Sequence, residues 1–187
     1  MTFLTREELE AIGFAEVGSN VLISEKASFY NAGYISIGDD VRIDDLCILS
    51  AGENGFFVGN NIHIGAYSSL IGQGRIQLLD FVNISSRVSI FSSNDDYSGR
   101  HLTNPMVPDE YKDVTVAPVC LEKHVIVGCG SVILPGVTLH EGAAVAALSL
   151  VKDDCAEFTI VGGRPATMLK KRSRALLGLE KELSART

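Results

Sequence analysis

An aliphatic residue recurs at every sixth position in the second half of the chain. The row runs without interruption through Leu121, Val127, Ile133, Leu139, Val145 and Val151. A second row with the same period holds small or medium side chains: Val125, Ser131, Val137, Ala143, Ser149 and Cys155. Single strands repeat every two residues and amphipathic helices every 3.6. The six-residue period therefore predicts a parallel β-helix, in which each repeat is one short strand stacked on the coils beside it.

The same spacing appears upstream in groups of three. The groups are Ile37, Ile43 and Leu49; Val58, Ile64 and Leu70; and Leu78, Ile84 and Ile90. Each group spans three repeats, which predicts a coil with three sides. We therefore expect an all-β fold, a three-sided solenoid, with short loops at residues 51–57 and 73–77 between coils.

The longest break in the period extends from Asn94 to Pro118. Insertions in regular solenoids collect on one edge, which is often the binding edge, so this excursion loop is the first place to look for a site. A surface loop with a capping role remains the structural alternative.

The two ends of the chain lack the repeat. Thr5 and Glu8 have the spacing of a capping box and Gly13 is a helix stop, so residues 1–14 are expected to form an N-terminal helix. Residues 15–163 form the β-helix, and residues 164–187 a C-terminal helix and tail, with the helix from Ala166 to Leu183. Helices at both ends would cover the exposed edges of the solenoid.

Composition predicts a single domain without a membrane span or a signal peptide. The 187 residues contain no apolar run of about 20 residues, and Glu7 and Glu8 stand where a signal peptide needs an apolar stretch. The four cysteines lack metal-ligand spacing and are expected to be reduced thiols in the cytoplasm.

The net charge of −7 argues against a nucleic-acid partner. Seven lysines and arginines follow position 163 against two glutamates, which indicates either a binding region for a phosphorylated ligand or a solvated helix face.

Residues 125–137 and Gly162 to Ala166 resemble the C-terminal half of the hexapeptide-repeat acyltransferases. Together with residues 43–45, 64–70 and 93–99, they are most similar to the acyltransferases of surface-polysaccharide gene clusters, which act in O-antigen or capsule synthesis. Among these the chain looks closest to the enzymes that acetylate the amine of dTDP-4-amino-4,6-dideoxyglucose. The resemblance implies a left-handed parallel β-helix, a homotrimer, acetyl-CoA as co-substrate without a permanently bound cofactor, and a nucleotide-linked amino sugar as acceptor.

The resemblance also implies where the donor binds. Family members hold the pantetheine arm along the outer wall of the last coils, beside small side chains. The residues expected to contact the arm are Gly128, Gly130, Ala146, Ala147 and Ser149. Those expected to contact the phosphates of CoA are Lys152, Arg164, Lys170 and Lys171.

Asp95 is the first candidate for the catalytic base. The resemblance to galactoside and maltose acetyltransferases puts Asp95 where those enzymes carry a histidine. A hydroxyl nucleophile needs its proton removed as the bond forms, whereas an amine needs less help, so an aspartate favours N-acylation. A sugar O-acetyltransferase remains an alternative. The residues expected to bind the acceptor are Asn83, Asn94, Asp96, Tyr97 and His101.

His63 is the alternative base. The repeat places it in register with Arg42 and Asn83, in an outward-facing polar column that could face the Asp95 loop of a neighbouring subunit in a trimer. An exposed turn histidine is the other explanation.

Two further classes of protein share this kind of fold. Zinc carbonic anhydrases need histidines five residues apart plus a third, and the four histidines here are too scattered, so no metal site is expected. A non-catalytic β-solenoid needs a regular outer face, which the irregular outer positions and the excursion loop disfavour; it is kept as the second alternative.

Overall fold

Parallel strands of two or three residues make up most of the molecule, as the period predicts. The computed structural model describes residues 2–185. The first strands are β1 (Glu16–Val17), β2 (Leu22–Ile23), β3 (Ser28–Tyr30), β4 (Ile35–Ile37), β5 (Val41–Ile43), β6 (Ile48–Ser50), β7 (Phe56–Val58), β8 (Ile62–Ile64), β9 (Ser69–Ile71), β10 (Ile76–Leu78), β11 (Asn83–Ile84) and β12 (Ser89–Phe91). The later strands are β13 (Ser93–Asn94), β14 (Thr115–Val116), β15 (Val119–Leu121), β16 (Ile126–Val127), β17 (Val132–Ile133), β18 (Thr138–Leu139), β19 (Ala144–Val145), β20 (Leu150–Val151), β21 (Thr159–Gly163) and β22 (Ala166–Lys171). The helices are α1 (Arg6–Ile12) and α2 (Leu176–Ser184), and 3₁₀ turns cover Ala32–Tyr34 and Asp109–Tyr111.

Three sheets form the three sides of a solenoid of about seven turns. Sheet 1 has the order β1-β4-β7-β10-β15-β18, sheet 2 the order β2-β5-β8-β11-β16-β19-β21-β22, and sheet 3 the order β3-β6-β9-β12-β17-β20. Neighbouring strands within these sheets are parallel except for the β21–β22 pair. The predicted all-β, three-sided parallel solenoid with a helix at each end is confirmed.

The aliphatic rows form the core of the solenoid. In sheet 2, Ile43 pairs with Ile64, Ile64 with Ile84, Ile84 with Val127, and Val127 with Val145. All six aliphatic residues of the row that begins at Leu121 are at most 4% exposed, and so are the members of the second row. No coil buries its aliphatic side chains alone; each needs the coils above and below.

The corners between sheets accept large side chains in the left-handed backbone region. Leu46, Tyr67 and Leu148 have φ of 60°, 63° and 60°. This conformation is uncommon for residues other than glycine. The amide of Tyr67 donates to the carbonyl of Asp45 at 3.0 Å, and that of Leu148 to Cys129 at 2.8 Å. These bonds join each corner to the coil before it and hold the backbone in this region.

The N-terminal helix forms as predicted. Thr5 and Glu8 make the reciprocal capping box, and Gly13 ends the helix in the left-handed region at φ 81°. Leu9 is buried and joins the hydrophobic core. The helix therefore covers the first coil.

The prediction of a helix from Ala166 to Leu183 is wrong for its first part. After a turn at Arg164 and Pro165, residues Ala166–Lys171 form β22, antiparallel to β21. Without this strand, β21 would be an open edge of sheet 2, and the pairing satisfies its backbone groups. Only Leu176–Ser184 is helical, and residues 186 and 187 of the expected tail lie outside the described part of the chain.

Helix α2 is fixed to the solenoid by polar contacts. Glu180 accepts hydrogen bonds from Lys123 at 2.7 Å and contacts Nε2 of His124 at 2.6 Å. The hydrogen bonds from Lys123 and His124 lower the pKa of Glu180. Arg172 donates to the carbonyls of His124 and Gly142 at 2.8 and 3.0 Å.

Within residues 2–185, no helix has the length and apolar character needed to cross a membrane.

The close stacking of coils predicts a marked difference between two glycines. A Cβ added to Gly128 would lie 2.5 Å from the amide nitrogen of Ala147 in the next coil, whereas one added to Gly178, in α2, meets nothing within 4 Å. We expect Gly128→Ala to lower the free energy of unfolding by about 2 kcal/mol. Gly178→Ala should leave it unchanged or raise it slightly, because alanine favours a helix. Urea unfolding of both variants measures the difference, and equal effects would contradict the stacking argument.

Candidate active site

The excursion loop is closed at its base by a small antiparallel ladder. Strand β13 pairs with β14, with Asn94 opposite Thr115. The amide of Ala117 donates to the carbonyl of Ser92 at 3.0 Å. The loop therefore leaves and rejoins the solenoid at one place, between β12 and β15.

A cavity of about 530 Å³ lies between this loop and the outer face of sheet 3. Its floor contains Phe91, Val132 and Leu134, which belong to or follow the strands β12 and β17. Its polar lining is Gln73, Ser93, Asn94, Asp95, Asn104 and Lys112, with Tyr97 beside them. A volume of this size with an apolar floor and a few polar groups is typical of small-molecule sites.

Asp95 is exposed and lines this cavity. Within residues 2–185, its carboxylate has no hydrogen-bond or ion-pair partner. It is therefore free to bind a donor group of a ligand. The predicted residues Asn94 and Tyr97 line the same cavity.

Asp96, the next residue, is fully engaged within the loop. Its carboxylate accepts from the amide and hydroxyl of Ser98 at 2.7 and 2.9 Å, and from the amide of His101 at 3.1 Å, with Nδ1 of His101 also at 3.1 Å. These hydrogen bonds, the Ser98 amide first, lower the pKa of Asp96 well below its usual value. Asp96 and His101 were predicted to bind the acceptor, but the structure places both outside the cavity lining, where they hold the loop in shape.

Lys112 is a lining residue that the sequence did not single out. Its side chain is 14% exposed and forms an ion pair at 2.8 Å with Asp109, which is 99% exposed. Lys112 follows the 3₁₀ turn in a segment without periodicity, so no sequence pattern indicated that it would line the cavity.

His63 lies in a separate polar network on sheet 2. Its Nε2 is 2.9 Å from Oδ2 of Asp44, and its Nδ1 is 3.1 Å from Oδ1 of Asn83. Arg42 donates to the other oxygen of Asp44 at 2.8 Å. Partial burial opposes ionisation of Asp44, but the hydrogen bonds from His63 and Arg42 outweigh it and hold the pKa of this carboxyl below its usual value.

The polar column predicted for Arg42, His63 and Asn83 is therefore present in register. It borders a shallow pocket on sheet 2, whereas the Asp95 cavity lies against sheet 3. The two candidate bases, His63 and Asp95, belong to different sites of one chain.

A row of small residues follows the last strands of sheet 2. Gly128, Ala146 and Gly162 occupy equivalent positions after β16, β19 and within β21. The Cβ of Ala146 is 3.0 Å from where a Cβ on Gly162 would stand, so the row is closely stacked. Ala147 is exposed beside it and Gly130 turns the next corner at φ 70°.

Ser149 does not belong to this outer wall. It is 2% exposed, donates to the carbonyl of Ala146 at 2.7 Å and accepts from the amide of Gly163 at 3.2 Å. Ser149 is therefore buried where the prediction needs it exposed to the pantetheine arm, because the second row of the repeat points into the solenoid.

Three of the four predicted phosphate contacts lie on the C-terminal hairpin, and the fourth, Lys152, follows β20. Arg164 sits at its turn and donates from Nε to the carbonyl of Leu148 at 2.8 Å. Lys170 and Lys171 lie at the far end of β22, about 17 Å along the strand. Lys152 is exposed and pairs with its neighbour Asp153 at 2.7 Å. These cations are therefore not one cluster.

Known structures share this architecture. A hexapeptide-repeat acetyltransferase from Vibrio cholerae, solved with acetyl coenzyme A, has the same fold at 20% identity and a TM-score of 0.60, over 90% of this chain and 76% of that one. AntD, an N-acyltransferase from Bacillus cereus, was solved with dTDP and coenzyme A as a variant in which asparagine replaces an aspartate. That structure matches this one with a TM-score of 0.96 at 45% identity over 100% of both chains. The fold is thus that of the hexapeptide-repeat β-helix acyltransferases.

A narrower assignment comes from sequence. The dTDP-4-amino-4,6-dideoxy-D-glucose acyltransferase of Escherichia coli is 54% identical over 180 residues, which is 96% of this chain and 94% of the relative. The chain belongs to the family of dTDP-4-amino-4,6-dideoxyglucose acyltransferases. No protein-family model matches it.

The contrast between the two adjacent aspartates can be tested on the loop itself. Asp96→Ala removes the acceptor of the loop hydrogen bonds, so we expect amide hydrogen exchange at residues 97–101 to accelerate by about tenfold. Asp95→Ala is the matched control and should leave exchange unchanged, because its carboxylate bonds to no other group within residues 2–185. Faster exchange in Asp95→Ala would show that Asp95 also has a structural role.

Proposed function

We propose that this protein transfers an acyl group from an acyl-CoA to the 4-amino group of dTDP-4-amino-4,6-dideoxyglucose. The observation that carries the proposal is the carboxylate of Asp95, which lies in the cavity under the excursion loop and has no partner in the described part of the chain. Family membership supplies the substrate class, since AntD was also solved with dTDP-4-amino-4,6-dideoxyglucose and coenzyme A together.

The reaction needs little from the protein beyond position and a proton acceptor. The neutral amine attacks the thioester carbonyl, a C–N bond forms, and the C–S bond breaks as the thiolate of CoA departs. The nitrogen loses one proton, which Asp95 accepts and the departing thiolate can take up. A carboxylate beside the amine also orients it for attack.

The AntD variants single out an aspartate and a serine for comparison with this chain. They replace an aspartate in some structures and, in others, a serine ten residues before it. Ser85 and Asp95 are the same residue types at the same separation. Ser86 and Asp96 share that separation, but the carboxylate of Asp96 is already bonded within the loop.

The donor is proposed to lie along the row of small residues at Gly128, Ala146 and Gly162, with Ala147 and Gly130 beside it. Arg164, at the hairpin turn, and Lys152, Lys170 and Lys171 are the candidates for its phosphates. We propose acetyl as the acyl group. AntD was also solved with 3-hydroxybutyryl-CoA, so the length of the acyl chain is the property to measure.

A homotrimer would bring the second candidate base into use. Because the His63 column and the Asp95 cavity lie on different sheets, His63 reaches a loop only on a neighbouring subunit. We propose that His63 and Asn83 complete the acceptor site of the neighbouring subunit in this way. We also propose that the enzyme acts in the cytoplasm. A role in lipopolysaccharide synthesis agrees with a second relative, the putative lipopolysaccharide biosynthesis O-acetyl transferase WbbJ of Escherichia coli K12, which is 26% identical over 145 residues.

The proposed role of Asp95 predicts a kinetic defect without a binding defect. Asp95→Asn should lower kcat for the amino sugar at least about tenfold, because the general base is lost. The KM for acetyl-CoA should change little, since the donor lies on another wall. Release of CoA, followed with a thiol reagent, measures both. Glu110→Gln, in the same loop but outside the cavity lining, is the matched control and should behave as wild type.

Two outcomes would contradict this assignment. If His63→Ala abolishes activity while Asp95→Asn retains it, the base is His63. If wild type releases no CoA with any nucleotide-linked amino sugar, the proposed function fails. Release of CoA only with acceptors that offer a sugar hydroxyl would favour the O-acetyltransferase alternative. No release with any acceptor would favour the non-catalytic alternative.

A further inference from the structure

The Asp95 cavity contains one partner-free carboxylate and one lysine. Asp95 and Lys112 are the acidic and the basic residue among the side chains that line it in the described part of the chain. The rest of the lining is neutral. The cavity is therefore suited to a ligand that carries both a positive and a negative group.

Lys112 is mostly buried in the wall of the cavity. Its side chain is 14% exposed, which is low for a lysine in a surface loop. Its ion-pair partner, Asp109, is 99% exposed, so the carboxylate of this pair is hydrated and adds little to holding the lysine in place. An anionic ligand group in the cavity can replace Asp109 at small cost.

The acceptor of the proposed reaction matches this arrangement. In a nucleoside diphosphate sugar with an amine, the basic nitrogen lies on the sugar and the anionic diphosphate links that sugar to the nucleoside. With the amine at Asp95, the anionic part needs a cation within the same cavity. The other basic side chain in this part of the loop, Arg100, hydrogen-bonds through Nε to Ser98 and is not among the lining residues.

We infer that Lys112 binds the diphosphate of the acceptor and thereby positions its amine at Asp95. This inference rests on the proposed function. Because the protein carries a net charge of −7, an approaching diphosphate is repelled by the molecule as a whole, and a local cation is needed to hold it. Charge-assisted hydrogen bonds from a lysine to a phosphate supply that attraction.

The direct test is the binding of dTDP, which carries the diphosphate and lacks the amine. In calorimetric titrations we expect Lys112→Gln to raise the Kd for dTDP about tenfold or more. Lys112→Arg should stay within about threefold of wild type, because it keeps the charge. Asp95→Asn should bind dTDP as wild type does. The dependence of Kd on salt should also be weaker in Lys112→Gln than in wild type.

Two control variants separate a local effect from a general one. Lys26→Gln removes an exposed lysine that pairs with Asp45 at 3.6 Å, far along the chain from the cavity, and should bind dTDP as wild type. Asp109→Asn removes the competing carboxylate and should bind dTDP at least as tightly as wild type. Weaker binding by Asp109→Asn would overturn the inference, because it would mean that Asp109 is needed to place Lys112.

Kinetics with the amino sugar distinguish this inference from the proposed function. Lys112→Gln should raise the KM for the nucleotide sugar about tenfold and leave the KM for acetyl-CoA unchanged. If wild type is active but Lys112→Gln binds dTDP and sugar normally, the inference on Lys112 is wrong and the function stands. If wild type binds dTDP through Lys112 but transfers no acyl group, the function is wrong and the diphosphate site stands. If Lys112→Gln binds neither dTDP nor CoA, the substitution has disturbed more than the diphosphate site, and Lys112→Arg becomes the deciding variant. A tenfold loss of dTDP affinity in Lys112→Arg overturns the inference.

Discussion

The register of the stacked aliphatic residues is the constraint on which the rest of the structure depends. Ile84 pairs with Ile64 on one side and with Val127 on the other, although 43 residues separate it from the second partner and 20 from the first. The ladder continues across the excursion loop as if the loop were absent. The loop is therefore attached to a rigid wall, and the cavity floor at Phe91 and Val132 is fixed by strands that pair on both sides of the insertion.

The fold could be predicted because burial in a solenoid is periodic along the chain. Each buried row in sheets 1, 2 and 3 follows from the six-residue spacing, with no knowledge of distant contacts. The C-terminal segment could not be predicted in the same way. Residues 166–171 contain apolar positions that a helix would also use, and it is the open edge of β21 that determines their strand conformation. A local sequence pattern does not show that a neighbouring strand has an unpaired edge.

The position of the candidate site could be predicted, and its geometry only in part. The break in the period identified the loop, and the place of Asp95 in it followed from the resemblance. The difference between Asp95 and Asp96 arises from hydrogen bonds to Ser98 and His101, which no spacing rule contains. Lys112 was missed because nothing in an aperiodic loop indicates which lysine packs against the wall. Ser149 was assigned to the donor site from the resemblance alone, although its row has the small side chains of a buried position, and the structure shows the serine bonded to backbone groups at a corner.

Hydrogen bonds within the protein determine which side chains remain free for chemistry. In the described part of the chain, His63, His101 and Asp96 each have partners that fix the loop or the sheet-2 column. A histidine held between Asp44 and Asn83 must give up one of those contacts to take a proton from a ligand. Asp95 gives up no such contact, because no group among residues 2–185 is bonded to its carboxylate. For an amine nucleophile, which needs only a nearby proton acceptor and correct placement, a free carboxylate on a rigidly anchored loop is sufficient.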